Sequence, residues 1–239
     1  MDTLHLKKKA RVAGGWYLLL AITSTFGLVY VPSKLIVQGD TLATVQHIAA
    51  SPLLFRLGIL SNFIYLTVFV CLVLAFYDLF KRVDQKLALL LVGWVVVAIP
   101  IAFANELNKF AILALLEDDG LKALKTSPLP ALVPLFLALY EYGSFAVMLF
   151  WGLWLFPLGI LVIKSTFIPR VLGGALVIGG GGYAVASVTF LFSVQYGRLV
   201  FPWATFPSAI AELSMIFWLL VKGAKQKNAP DEPRASSVR

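Results

Sequence analysis

Residues 57–80 read LGILSNFIYLTVFVCLVLAFYDLF, and Asp78 is the one charged residue in that run. As an α-helix rising 1.5 Å per residue, such a run reaches about 36 Å, enough to cross a hydrocarbon core of about 30 Å. It is too long and too uniformly apolar for a barrel strand, and a bilayer offers no water to bare backbone groups, so a helix is the expected form. The run ends at KRVDQK, residues 81–86, and a second apolar run opens at Leu87. Working outward with the same ruler yields six spans, at 12–33, 57–80, 87–107, 140–163, 171–192 and 204–221. The expected fold is an all-α membrane protein with six transmembrane helices in a single domain, residues 1–222. A polar tail, 223–239, follows and is expected to be disordered.

Composition agrees. Of the 239 residues, 60% are hydrophobic and 13% charged, and the mean hydropathy is +0.88. A soluble domain is apolar in about half of its residues. The net charge of +8 would suggest nucleic acid in a soluble protein, but the basic residues fall in short segments between apolar runs, so no nucleic-acid partner is expected. The run after the basic leader continues past Val31 without a small-residue cleavage site and is read as a retained first span. With the N-terminus inside, fourteen of the Lys and Arg residues fall on the cytoplasmic side and six outside. The positive-inside rule therefore places both termini in the cytoplasm and predicts a multi-pass protein of the inner or plasma membrane.

Between the first two spans, Asp40 precedes Leu42, Val45, Ile48 and Ala49 at helical spacing, which predicts a short N-capped interfacial helix on the outer face. Residues 107–129 hold Glu117, Asp118, Asp119 and Gly120, then Pro128, and predict helix breaks and water exposure. Pro157 is expected to kink the fourth span, with the nearby aromatics, Trp151 and Trp154 among them, forming an interfacial belt. Gly173, Gly174 and the run 179–182 are read as a packing face of the fifth span.

Ionisable groups inside spans are costly and face the bundle interior, so they are the candidates for chemistry. Glu212 lies ten residues before Lys222, roughly 15 Å into the bilayer. It is expected either to tie helices together, with Tyr183, Thr23 or Ser24, or to act as a proton-linked or ligand-binding group. Asn105, Glu106, Glu141 and Arg56 all count to the outer end of the bundle. Arg56 is expected to pair with Glu141 or Glu106 and, with Asp40 and His47, to line a pocket open to the outside. The competing reading is that these residues mark the water interface. His5 and His47 are the only histidines and Cys71 the only cysteine, which leaves too few ligands for a His/Cys metal site. Neither a metal nor a cofactor is expected.

One stretch carries a resemblance. FWGLWLFPLGILVIKSTFIPRVLG, residues 150–173, is similar to the bacterial integral membrane family catalogued as domain of unknown function 4386. So are RVAG at 11–14, Gly39-Asp40, IAAS at 48–51, FRLG at 55–58, and Glu212 ahead of WLLVKG at 218–223. The resemblance implies a helical membrane protein of bacterial origin and brings no activity or catalytic residue with it. Three readings stay open: a protein that binds or transports a small amphipathic molecule or lipid, an intramembrane enzyme acting on lipid or isoprenoid substrates through a carboxylate, and a structural or signalling partner of another membrane protein. Membrane lipids are partners in all three.

Overall fold

A chain that crosses hydrocarbon must close its backbone hydrogen bonds within each segment. In keeping with this, the computed structural model, which describes residues 3–117 and 132–224, contains helices and, among those residues, no strand. The elements are α1 (Thr3–Thr25), a π-helical turn (Phe26–Tyr30), α2 (Val31–Leu35), α3 (Thr41–Ala50), α4 (Pro52–Phe80), α5 (Gln85–Glu117), α6 (Val133–Leu153), α7 (Leu155–Ser165), α8 (Arg170–Phe192) and α9 (Val194–Val221). Six rods among the described residues are long and apolar enough to cross a membrane: Leu4–Leu35, Pro52–Phe80, Gln85–Leu116, Val133–Ser165, Arg170–Phe192 and Val194–Val221.

These rods form a ring. Each packs against its neighbours in sequence, and the sixth closes onto the first through α9 and α1. One end of the ring, the basic end, carries Lys7, Lys8, Lys9, Lys81, Lys164 and Arg170. Inside the ring, Tyr17, Phe76 and Trp154 meet edge to face, with the Tyr17 ring 5.7 Å from Phe76 and 6.0 Å from Trp154. All three are buried.

Several elements run longer than apolarity alone implies. Span one starts at the basic leader, because Ala10 and Ala13 are fully buried and Lys9 pairs with Asp78 of α4 at 2.7 Å. The third span runs past its expected end at 107: α5 continues to Glu117, since Ile112 and Leu113 bury against Ile48, Phe55 and Val133. The helix breaks expected beyond it, 118–131, and the expected tail from 225 onward lie outside the described residues. The sixth span begins at Val194, with Pro202 and Pro207 inside the helix, as proline is tolerated in membrane helices whose neighbours re-satisfy freed groups.

The interfacial helix is present as α3, capped by Asp40, whose Oδ1 accepts from the Ala43 N–H at 2.9 Å. Span four divides at Trp154 into α6 and α7. Pro157 offers no N–H to the Leu153 carbonyl, which accounts for a break at that point. The glycines of α8 are helix contacts: Gly180 lies against Gly152, and a side chain on Gly179 would meet Ser208 of α9. At the basic end Lys164 pairs with Asp84 at 2.7 Å, and Asp84 also accepts from the Leu87 N–H at 3.1 Å.

The Lys164 hydrogen bond, followed by the Leu87 N–H, lowers the Asp84 carboxyl below its ordinary value. The unfolded group titrates at about 3.9, so its contribution is complete above that pH and is lost as the pH falls through the depressed folded value. Asp84→Asn is therefore expected to lower the melting temperature slightly near neutral pH. The two curves should begin to converge only as the pH falls below about 4, as thermal unfolding of both proteins in one detergent will show.

Candidate functional site

A carboxylate in a dry bundle needs hydrogen bonds or a counter-charge, and the two interior glutamates obtain these differently. Glu212, on α9, is half-buried and lines a cavity of about 120 Å³ between the helices of the ring. The Tyr17 hydroxyl of α1 donates to its Oε2 at 2.8 Å. Leu20, Ser24 and Leu28 of the first span line the cavity, together with Tyr65 and Phe69 of α4. Trp151, Trp154 and Tyr183 complete the wall, so five of the six spans contribute. The rings stand edge to face: Phe69 to Trp154 at 4.9 Å and Tyr65 to Trp151 at 6.2 Å. No Lys, Arg or His belongs to the lining among the described residues.

Glu106, on α5, is buried against a charge. Lys109 lies one turn further along the same helix, with Nζ 3.1 Å from Glu106 Oε2 and over the face of Tyr140 at 3.9 Å from the ring centre. Asn62 of α4 donates to Glu106 Oε1 at 2.8 Å. The other end of Asn62, Oδ1, accepts no hydrogen bond among the described residues and rests against Gly27 in the π-helical turn, where it occupies the space a side chain would need. Neighbouring Asn105 knits α5 to α6, donating to the Tyr140 carbonyl at 3.0 Å and to Ser144 Oγ at 3.1 Å.

The outer polar level expected from the sequence thus divides into three places. Glu106 and Asn105 belong to the interior cluster. Glu141 lies at the rim with Arg198 of α9, whose Nε donates to Oε1 at 2.6 Å and whose Nη2 donates to Oε2. This pair is substantially exposed and is of the kind that contributes about 1 kcal/mol or less. Arg56, Asp40 and His47 are exposed, and Asp40 is spent on the α3 cap. Glu141 and Glu106, each expected as a partner of Arg56, instead take Arg198 and Lys109. For Glu106 the reason is local, since a lysine three residues away on the same helix is already in reach.

Sequence reasoning missed Tyr17, Tyr65 and the Trp151/Trp154 pair as cavity residues. Tyr17 stands only six residues beyond Arg11, and its reach to Glu212 depends on a long side chain between adjacent helices. Trp151 and Trp154 share an i, i+3 face, a signal that an interfacial-belt reading absorbs. Glu212 does lie in the interior of the ring, and Tyr183 and Ser24, expected beside it, line the same cavity.

Within the glycine run of α8, read from the sequence as a packing face, Gly180 packs inside the chain against Gly152 and Leu155 of span four.

Compared with known proteins, residues 12–223 match the family described as Domain of unknown function (DUF4386). An "Uncharacterized protein" of Archaeoglobus fulgidus is 31% identical over 87 residues, 36% of this chain. That match spans about half the relative's own length, 49%. No solved structure matches. The family match takes in all six spans and both glutamate clusters, and the chain therefore belongs to the DUF4386 family, as the 150–173 stretch indicates.

Proposed function

We propose that this protein binds or transports a small amphipathic molecule whose head enters the cavity beside Glu212. The supporting observation is the convergence of five spans on one cavity with, among the described residues, a single carboxylate in its wall. In a membrane the default reading of such a group is functional, and a cleft of mostly apolar wall with few polar groups is what ligand sites share. The site expected from sequence, at the outer rim, moves inward with this reading, because Glu141 and Glu106 already have cationic partners in Arg198 and Lys109. The charge count further supports both termini on the cytoplasmic side of a cell membrane, with the basic end inward.

Native mass spectrometry of protein extracted from its own membrane tests the proposal. The wild type is expected to retain a specific small molecule or lipid that Glu212→Gln loses while keeping a near wild-type melting temperature. Gln still offers an oxygen to the Tyr17 hydroxyl, so the fold should stand. The same bulk lipid in both proteins would refute the proposal.

A further inference from the structure

From the cavity wall we infer that the ligand class is an organic cation: an amphipath with an amine or quaternary ammonium head of roughly benzene size. The inference rests on the cavity reading above and names its ligand.

The charge of the wall points one way. Glu212 is its only carboxylate, and no base lines it among the described residues. Asp78, Asp84, Glu106 and Glu141 each have a lysine or arginine partner supplied by the protein. Glu212 has a tyrosine hydroxyl on Oε2 and lines the cavity. When ionised, a carboxylate in such a place requires a counter-charge, and the ligand provides it. An anionic head would meet a carboxylate with no cation to offset it.

The rest of the wall fits the same class. Phe69, Trp151 and Trp154 present aromatic surface, and Tyr65 and Tyr183 add rings with hydroxyl oxygens. Aromatic faces attract a cation through their quadrupole, most strongly when water is excluded, and clustered rings are the recurrent means of recognising quaternary ammonium groups. A neutral head would use the carboxylate only as a hydrogen-bond acceptor, as the Tyr17 hydroxyl does, and would leave the rings' electrostatics unused. The cavity, at about 120 Å³, is near the size of an engineered cavity of about 150 Å³ that holds benzene. That size admits a trimethylammonium head, with an alkyl tail left to follow the aliphatic side chains Leu20 and Leu28.

The test is calorimetric titration of the full chain in nanodiscs with three probes of equal tail length: octyltrimethylammonium, its uncharged analogue with carbon in place of nitrogen, and octanesulfonate. The cation is expected to bind best. Its affinity should fall about tenfold or more in Glu212→Gln, as the ion pair with the carboxylate is lost, and should fall also in Trp151→Leu, a half-buried site. Melting curves of both variants verify the fold. Equal binding of the cation and its uncharged analogue, insensitive to Glu212→Gln, would overturn the cation class and leave a cavity for amphipaths. Preference for the sulfonate would overturn the class too. Cation binding undiminished in both variants would place it elsewhere and overturn the assignment. No binding of any probe to well-folded wild type would overturn both the class and the cavity reading.

Discussion

Lys109→Ala is expected to destabilise the folded protein by about 3–5 kcal/mol, the range seen when one member of a buried ion pair is removed. Lys109 and Glu106 have side chains 9% and 5% exposed, so the alanine variant leaves a carboxylate with neutral donors such as Asn62 and, among the described residues, no cation. It also empties the space over the Tyr140 ring. The attraction between the two charges is not what the loss measures. Most of it is the penalty of an uncompensated charge, and the double variant Lys109→Met with Glu106→Gln should recover the larger part of the stability, because Gln still accepts from Asn62 and methionine fills the lysine's volume. Equilibrium unfolding in mixed micelles, run on the single and double variants, distinguishes these. A loss below about 1 kcal/mol in the single variant would show that the pair stands in water, and equal large losses in both would show that the cost is lost packing and not an uncompensated charge.

Gly182→Leu is the second large effect, with an expected loss of roughly 1–3 kcal/mol or more from overpacking. A Cβ placed on Gly182 runs into the backbone carbonyl oxygen of Ala204, a group that cannot rotate away. Even Gly182→Ala should destabilise here, against the gain of about 0.5–1 kcal/mol that alanine brings to a helix interior. At Gly181, next in the chain, a Cβ would have no neighbouring atom within 4 Å, and Gly181→Ala should be neutral or stabilising. Thermal unfolding of the two alanine variants side by side checks this. A common sign for both would mean that α8 and α9 are not in the contact described.

Six spans are legible from apolar length because the bilayer imposes a one-dimensional ruler: a run is either long enough to cross or it is not. The interfacial helix is legible for a similar reason, since Asp40 caps a helix with local hydrogen bonds that need no distant partner. Span ends are less legible. The extension of α5 to Glu117 depends on Ile112 and Leu113 docking against Ile48 and Phe55 of other elements, and apolar count near a span end does not report that. The π-helical turn at Phe26–Tyr30, with Gly27 against Asn62, is likewise a contact between two spans.

For the site, the depth of Glu212 is legible and its surroundings are not. Counting residues from a basic anchor gives height along the membrane normal, and it groups Glu106, Glu141 and Arg56 at one level. Height says nothing of azimuth around each helix or of the order of helices in the ring. Glu141 stands at the rim with Arg198, whereas Glu106 is buried in the interior with Lys109.

By itself, then, the sequence determined that the chain is a six-span helical membrane protein with its basic residues gathered toward one end, because hydropathy and charge act against a uniform external medium. Only the tertiary structure decided which groups meet: Tyr17 with Glu212, Lys109 with Glu106 and Tyr140, Arg198 with Glu141, and the aromatic wall around one carboxylate. Those meetings depend on the rotation and neighbour order of packed helices, set by close contacts such as Gly180 on Gly152, and no periodicity along a single run encodes them.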